Sequence, residues 1–566
     1  MRRFSFLMTL LAGLTFLGSC NNDDGGDGPG IANPTVTPPA SAVNVQEGMS
    51  VNITFSVTTP GEYASASASA TNGSASISSE PADGATTGNV VVSFTADGTT
   101  GAGAVELTVT DDEGNTGSGV ATIDIQSGTV TNEVDVTPSA SGVGTTTWTA
   151  DNIYNLRGFI FVNSGQTLTI EAGTVIKGQP GQGSSASALI VSRGGTIIAE
   201  GTADNPIIFT STSDDLNGSV ADDASALWGG LIVLGNATTN NQDSPQKQVE
   251  GITDEGDRGL YGGSDDADNS GVLKYVSIRH GGSLIGDSNE INGLTLGAVG
   301  NGTTIENIEV WSNLDDGIEF FGGTVNVKNA AVSWAGDDAI DYDEGFRGKL
   351  QNVFVWDRSS DIESDDPRGG EHDGGVSANE RLEPFAIPMF YNATFIYSDD
   401  EGSAVNMSNT ILFRDNAGGK YFNSIFYGYD APVTVEDLSS ANNPDSYTRF
   451  SQDDLEFSNN ILYDVNGVVD NSNIQDIFTL SGEPEAGNEA TWKSYGESNN
   501  MVVDPGFGSG GNTVVPTASE VTSDLAALPG DDTDGFFTDQ QYKGAFDPNG
   551  TPWIANWTKA WEVLNQ

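Results

Sequence analysis

Cysteine is almost absent. The 566-residue chain has one, Cys20, so no intrachain disulfide can form and no cysteine zinc cluster can be built. Histidine is nearly as scarce, with His280 and His372 only, which excludes a histidine-rich metal centre. Basic residues are few: Lys plus Arg number 21 against 79 Asp plus Glu, a formal net charge of −58. Such a surface repels phosphate backbones and argues against nucleic acid as a partner. It suits a protein in salty surroundings or one that holds cations. Long apolar runs are confined to residues 4–17. The apolar share is 36%, and glycine, at 72 residues, is abundant, which fits many turns and short strands better than long helices. A charge imbalance of this size also marks disordered chains. Regular apolar strand patterns argue against disorder for most of this one.

What is there is periodic. Between Asn307 and Trp356 the chain reads NIEVWSNLDDGIEFFGGTVNVK, then NAAVSWAGDDAIDYDEGFRGKLQ, then NVFVW. In register, Asp315 falls over Asp337, Asp316 over Asp338, Ile318 over Ile340 and Glu319 over Asp341, each 22 residues on. A fixed period of this size marks a solenoid. The repeats are too short for helix pairs and are rich in Val, Ile, Phe, Trp and Gly, so they read as short strands between turns. The expected fold is all-β: a right-handed parallel β-helix over residues 138–540, preceded by a small β-sandwich. Asparagine recurs just before strands, at Asn307, Asn329, Asn352, Asn392, Asn423 and Asn459. Asn tolerates left-handed backbone and its amide can bridge to the next coil, so these six read as an asparagine ladder. Residues 541–566 end in an aromatic segment with a short predicted helix, read as a cap over the last open coil.

At the N-terminus, Arg2 and Arg3 precede the apolar run, and Leu17-Gly18-Ser19-Cys20 follows. The run is too short to span a bilayer as a mature helix. It resembles a bacterial lipoprotein signal (residues 1–19) with a lipobox, which implies cleavage before Cys20 and lipid on its thiol. Residues 20–33 read as a flexible acidic tether. The acidic stretch right after Cys20 resembles the surface-export signal of Bacteroidetes lipoproteins. Residues 34–127 alternate in strand fashion and resemble an immunoglobulin-like or cadherin-like sandwich, read as a spacer, with a polar linker at 128–137. The acidic turn Asp111-Asp112-Glu113-Gly114-Asn115 is either a calcium ligand set or a solvated turn.

The stretches LTIEAGTVIKG, IIAEGTADNPIIFTS, WGGLIVLG and DDGIEFFGGTVNVK, with a closing YKGAF and WTKAW, resemble a family of Bacteroidetes β-helix surface lipoproteins. That resemblance implies an outer-membrane location facing the cell exterior. It further implies a partner such as a TonB-dependent receptor of an uptake system, or an extracellular glycan.

Eight carboxylates lie between Asp315 and Glu344: Asp315, Asp316, Glu319, Asp337, Asp338, Asp341, Asp343 and Glu344. Neighbouring coils sit about 4.8 Å apart. Two bare carboxylates at about 4 Å repel by about 4 kcal/mol at an effective dielectric of about 20. Protons, a nearby Arg such as Arg347, or a hard cation must offset this. Oxygen-only ligation at this density suits calcium. Calcium-dependent lyases on this kind of scaffold use an Arg or Lys as base, and Arg347 and Lys349 border the cluster. Gly336-Asp337-Asp338 resembles the aspartate pair of polygalacturonases. That family, however, places its His-Gly after the pair, whereas Arg279-His280-Gly281 precedes it here, and Glu371-His372-Asp373 lies in what reads as a polar insertion. Trp311, Trp334 and Trp356 fall in rung register beside the acids, as a sugar-stacking surface or as coil packing. The two functional classes are therefore a calcium-dependent lyase on acidic glycans, and a ligand-binding protein or accessory subunit for uptake.

Overall fold

A computed structural model describes residues 31–565, apart from 47–48, 98–100, 127–131, 242–246, 253–254, 287–288, 359–366, 399–406, 439–443, 508–513, 530–531 and 533. The stretch read as a leader, Cys20, and the stretch read as a tether up to residue 30 lie outside the described residues. The chain divides into two compact units, Met1–Thr129 and Val130–Gln566.

In the first unit, strands Thr35–Thr37, Ser50–Thr58, Thr87–Ala96 and Gly73–Ser79 form one sheet, and Val43–Gln46, Thr116–Gln126, Gly101–Asp111 and Tyr63–Thr71 another. The alternation is strict. In Ser50–Thr58 the residues Ile53, Phe55 and Val57 are buried and those between them are exposed. They join Phe94, Val105 and Leu107 in one core. At the acidic turn, Asp111 accepts hydrogen bonds from the Asn115 backbone N–H at 2.7 Å and from Asn115 Nδ2 at 3.0 Å. Both carboxylate oxygens are thus used to close the hairpin.

The second unit is a parallel β-helix. Its strands stack into a 17-stranded and a 10-stranded sheet, and the pairing between successive coils is parallel. Ile308 lies over Ala330 and then Val353; Ile318 lies over Ile340. Alternate residues point inward and stack as like on like, for example Phe390 on Tyr421 at 4.3 Å and Phe395 on Phe426 at 5.1 Å between ring centroids. Burying such a side chain contributes roughly 1.5–3 kcal/mol, repeated coil after coil. The pairing of Asn132–Val136 with Asn152–Leu156 starts the solenoid inside the stretch read as a linker.

All six ladder asparagines have left-handed backbone, with φ between 53° and 61°. The side-chain rungs exist only at the start: Asn329 Nδ2 donates to Asn307 Oδ1 at 3.0 Å and Asn352 Nδ2 to Asn329 Oδ1 at 2.8 Å. Beyond that, Asn392, Asn423 and Asn459 donate instead to the carbonyls of Tyr542, Ala526 and Asp524. The C-terminal segment therefore does not close the last coil. It runs back along the 17-stranded sheet, and its helix Lys559–Leu564 begins at Glu309, whose carboxylate accepts from the backbone N–H groups of Lys559 and Ala560 at 2.9 Å each. The last coil is covered by helix Asn488–Asn499. Its Trp492 is fully buried against Phe478 of the final strand, with ring centroids 5.4 Å apart.

Candidate metal centre

The acidic residues come from a turn and a short strand repeated on adjacent coils. Strand Ile318–Phe321 buries Ile318 and Phe320, and strand Ile340–Asp343 buries Ile340 and Tyr342. With a side-chain period of two, Glu319 and Asp341 must face outward. The register stacks Thr295, Glu319, Asp341 and Glu371 in one file. Just before these strands, Asp315-Asp316 and Asp337-Asp338 occupy the turns. Asp316 Oδ1 accepts from the Asp338 backbone N–H at 3.0 Å, which ties the two turns together.

Two trios result, Asp315 with Asp316 and Asp337, and Asp316 with Glu319 and Asp341. In each, one carboxylate oxygen per residue lies within 4.8 Å of the others. Asp316 belongs to both. Asp316 and Glu319 are 6% and 7% exposed, so water does little to screen them. Asn292 Nδ2 donates to Glu319. Asp341 Oδ1 and Asp338 Oδ1 are shut off from solvent without a hydrogen-bond partner, and such atoms are costly unless something supplies positive charge. Burial, then the charge of Asp337, pushes the Asp315 carboxyl up to about 7. Burial first and a neighbouring carboxylate second hold Asp316, Glu319 and Asp341 well above the usual range: Asp315 acts on Asp316, Asp316 on Glu319, and Glu319 on Asp341. The arrangement wants protons or a cation. An oxygen-only donor set that includes the sealed, unpartnered Asp341 Oδ1, with Asp338 Oδ1 sealed nearby, fits a hard divalent ion such as calcium.

Five of the eight expected ligands meet in the trios. The other three do not. Asp338 Oδ2 faces Arg368 at 3.4 Å. Glu344 is neutralised by Lys247 at 2.5 Å and accepts from the Tyr261 hydroxyl at 3.0 Å. Asp343 is pushed up to about 8 by burial and then by Asp373. The bases expected beside the cluster are engaged elsewhere. Arg347 pairs with Asp266 at 3.1 Å, and Lys349 pairs with Asp532 at 2.7 Å and with Asp534. The cations that do reach the file are Arg368, 2.7 Å from Glu371, and Arg414, which binds both oxygens of Asp373 at 2.8 and 3.0 Å and stands 3.1 Å from Glu371.

Glu371, Arg368, Arg414, Asn292 and Lys247 were not picked out as site residues by sequence. Strand Gly370–Asp373 is a regular member of the file, not a loop. Strand alternation turns Glu371 and Asp373 out and His372 in. His372 is fully buried, stacked on Tyr342 at 4.1 Å, and its Nε2 lies 2.7 Å from the Tyr421 hydroxyl. Burial pushes its pKa down to about 3, so it is a neutral core residue. Trp311 and Trp334 are core as well, and the half-buried Trp356 packs against them. Trp311 and Trp334 are 4.1 Å apart by ring centroids, and Trp334 and Trp356 are 5.3 Å apart. The C-terminal residues Ala545, Phe546 and Ile554 share their cluster.

Parallel coils around an aliphatic and aromatic core, carrying a file of outward acids, define a right-handed β-helix. Residues 141–499 match the pectate-lyase-like β-helix domain family, and the chain belongs to that family. None of the curated proteins matches it. Among solved structures it is similar to the catalytic unit of the thermostable GH87 α-1,3-glucanase from Streptomyces thermodiastaticus strain HF3-3, at 10% identity over 76% of this chain and 88% of that one, with a TM-score of 0.22. It is also similar to the family 28 exopolygalacturonase of Yersinia enterocolitica, at 10% identity over 80% and 97%, with a TM-score of 0.19.

Proposed function

We propose that this chain is a lipid-anchored protein on the outer face of an outer membrane that binds an extracellular glycan, by itself or as accessory subunit of a TonB-dependent uptake system. In this reading a calcium ion sits among Asp315, Asp316, Glu319, Asp337 and Asp341 and forms part of the ligand surface. The lipobox at Cys20 and the acidic tether support the location. The first unit, as a sandwich of the immunoglobulin or cadherin kind, lifts the β-helix off the membrane. The observation that carries the reading is the pair of fused carboxylate trios beside sealed, unpartnered oxygens. When bound, the ion neutralises an acidic group on the glycan and lowers the charge of the file. The chain's own residues orient the ion: Asn292 holds Glu319, and the Asp338 N–H holds Asp316.

The second reading is a calcium-dependent polysaccharide lyase. Arg414 favours it, being 38% exposed beside Glu371 and Asp373. Its basicity counts against it. Burial works to lower its pKa, yet the hydrogen bond and charge of Asp373 with the charge of Glu371 push it above the ordinary value. A guanidinium held this firmly in its charged form is a poor proton acceptor. The experiment is retention of the protein on pectin, alginate and neutral glycan matrices with and without calcium, with ultraviolet absorbance and reducing ends followed in the eluate. Calcium-dependent retention without product supports a binder, and unsaturated product establishes the lyase. Absence of both overturns the glycan reading.

A further inference from the structure

A second site candidate lies away from the acidic file, where the loop of residues 212–226 meets the C-terminal helix. There a cleft of about 390 Å³ is lined by Asp214, Leu216, Asn217, Arg279, His280 and Lys559, among others. It gathers an Arg, a Lys and one of the two histidines beside three acids, Asp214, Asp222 and Glu562.

The guanidinium is set from behind. Arg279 is 9% exposed. Its Nε donates to Ser277 Oγ at 2.8 Å, and Ser277 Oγ donates in turn to Glu309. The carboxylate of Glu309 is itself taken by the first N–H groups of the C-terminal helix. Of the acids in the lining, Asp222 and Glu562 are paired with Lys559, and Asp214 accepts from Thr210 Oγ1 with one oxygen and from the Leu216 N–H with the other, each at 2.7 Å. Among the described residues no carboxylate stands within ion-pair distance of Arg279, and the Nε bond is the guanidinium's one hydrogen bond. A nine-tenths buried cation is thus held in place with its outer edge lining the cleft.

The rest of the lining is polar and fixed. Lys559 is clamped between Asp222 and Glu562, 2.9 Å from each. His280 Nδ1 faces the Ala224 carbonyl at 2.5 Å. A carbonyl can only accept, so Nδ1 carries the proton and Nε2 is left as an acceptor for a hydroxyl. The loop that roofs the cleft includes Leu216, an exposed leucine with φ of 63°. Such backbone strain at a branched residue persists only where surrounding bonds impose it.

We infer that this cleft binds a sugar-sized polar molecule bearing an oxyanion, with Arg279 reading the anion through its planar fork and His280 accepting from a hydroxyl. The fork matches a carboxylate or a sulfate equally well, and the volume suits one pyranose ring. The inference rests on the glycan reading only for its choice of probes. It does not involve the calcium ligands.

The test is ligand-observed NMR and calorimetric titration of the full chain in chelator. The probes are glucuronate, glucose 6-sulfate, glucose and inorganic sulfate. One or both acidic sugars should bind at least about tenfold more tightly than glucose and than inorganic sulfate, as a charge-assisted bond requires. The tighter of the two names the anion. Arg279→Met should abolish that preference, and Asn217→Trp, a change at an exposed loop position, should block the cleft without touching the core. Equal binding of glucose, a preference that survives in either folded variant, or no binding of any probe overturns the inference. Should Arg279→Met fail to fold, Asn217→Trp decides. Loss of polymer retention with acidic monosaccharide binding intact would count against the calcium-borne glycan surface and leave this cleft standing.

Discussion

Calcium-stripped protein should lose stability as pH rises, the reverse of what ordinary paired carboxylates do. The Asp315 carboxyl stands at about 7 in the fold, raised from 3.8 by burial and then by Asp337. Below pH 3.8 it is protonated in the folded and unfolded chain alike. Between 3.8 and 7 the folded chain keeps a proton that the unfolded chain has shed, so stability falls as pH rises and the loss is complete above about 7. For this one carboxyl the loss is about 4 kcal/mol. Asp343, raised to about 8, acts in the same direction over the same window and slightly beyond it. A solenoid unit spanning Val130–Gln566 has an unfolding entropy of about 0.9 kcal/mol per kelvin. Asp315 alone is then worth about 4 °C. Calcium binds the deprotonated form and competes with protons; at about a hundredfold over its dissociation constant it returns about 2.7 kcal/mol. Scanning calorimetry in chelator and in calcium, at about pH 5 and about pH 8, reads both effects. Over that interval Asp315 gives up about 2.7 kcal/mol and Asp343 somewhat more, against about 2 kcal/mol gained in the opposite sense from His372. Asp316→Asn keeps an acceptor for the Asp338 N–H but removes the shared charge. It should raise the melting point in chelator at the higher pH and remove the response to calcium. A chelated protein as stable at the higher pH as at the lower, or a calcium response that survives Asp316→Asn, would refute the reasoning.

Asn329→Ala removes both ladder bonds and the amide that makes left-handed backbone tolerable for Asn; denaturant unfolding should report a loss of about 2–3 kcal/mol. Glu309→Ala strands the first N–H groups of the C-terminal helix and Ser277 Oγ. It should cost about 3 kcal/mol or more and expose the C-terminal segment to limited proteolysis. His372 should stay neutral. Its folded value of about 3 lies below its ordinary 6.5 because of burial, so stability is lost as pH falls from 6.5 toward 3, by about 5 kcal/mol at the end of that window. Its ring resonances should hold flat down to about pH 4, and a midpoint near 6.5 would show that it is not in the core.

The stretch from Asn307 to Asn352 was legible because no insertion interrupts it. Strand spacing there equals one coil, so Ile318 and Ile340, or Glu319 and Asp341, could be laid over each other from the sequence. Glu371 belongs to the same file, but residues 359–366 and their neighbours push it 30 positions past Asp341, and the period is lost. The Glu-His-Asp triplet looked like a surface insertion from its charges. Its alternation, with a histidine between two acids, was the signal that it is a strand with His372 inside. Asn292 arrives from a loop, Lys247 from a two-residue strand and Arg368 from an isolated bridge, and no local pattern announces where such short pieces lie. The same holds for the C-terminal segment. Its aromatic content showed that it packs on something, but only the tertiary path shows that it covers Trp311 and Trp334 and not the final coil.

The central claim is that the paired carboxylate trios hold a divalent cation and not protons. Anomalous diffraction from crystals grown in calcium, or in strontium as its heavier congener, tests this most directly. A peak is expected at about 2.3–2.6 Å from oxygens of Asp316, Glu319 and Asp341. An empty map at saturating metal, with carboxyl groups bonded directly to one another at about 2.5–2.7 Å, would contradict it.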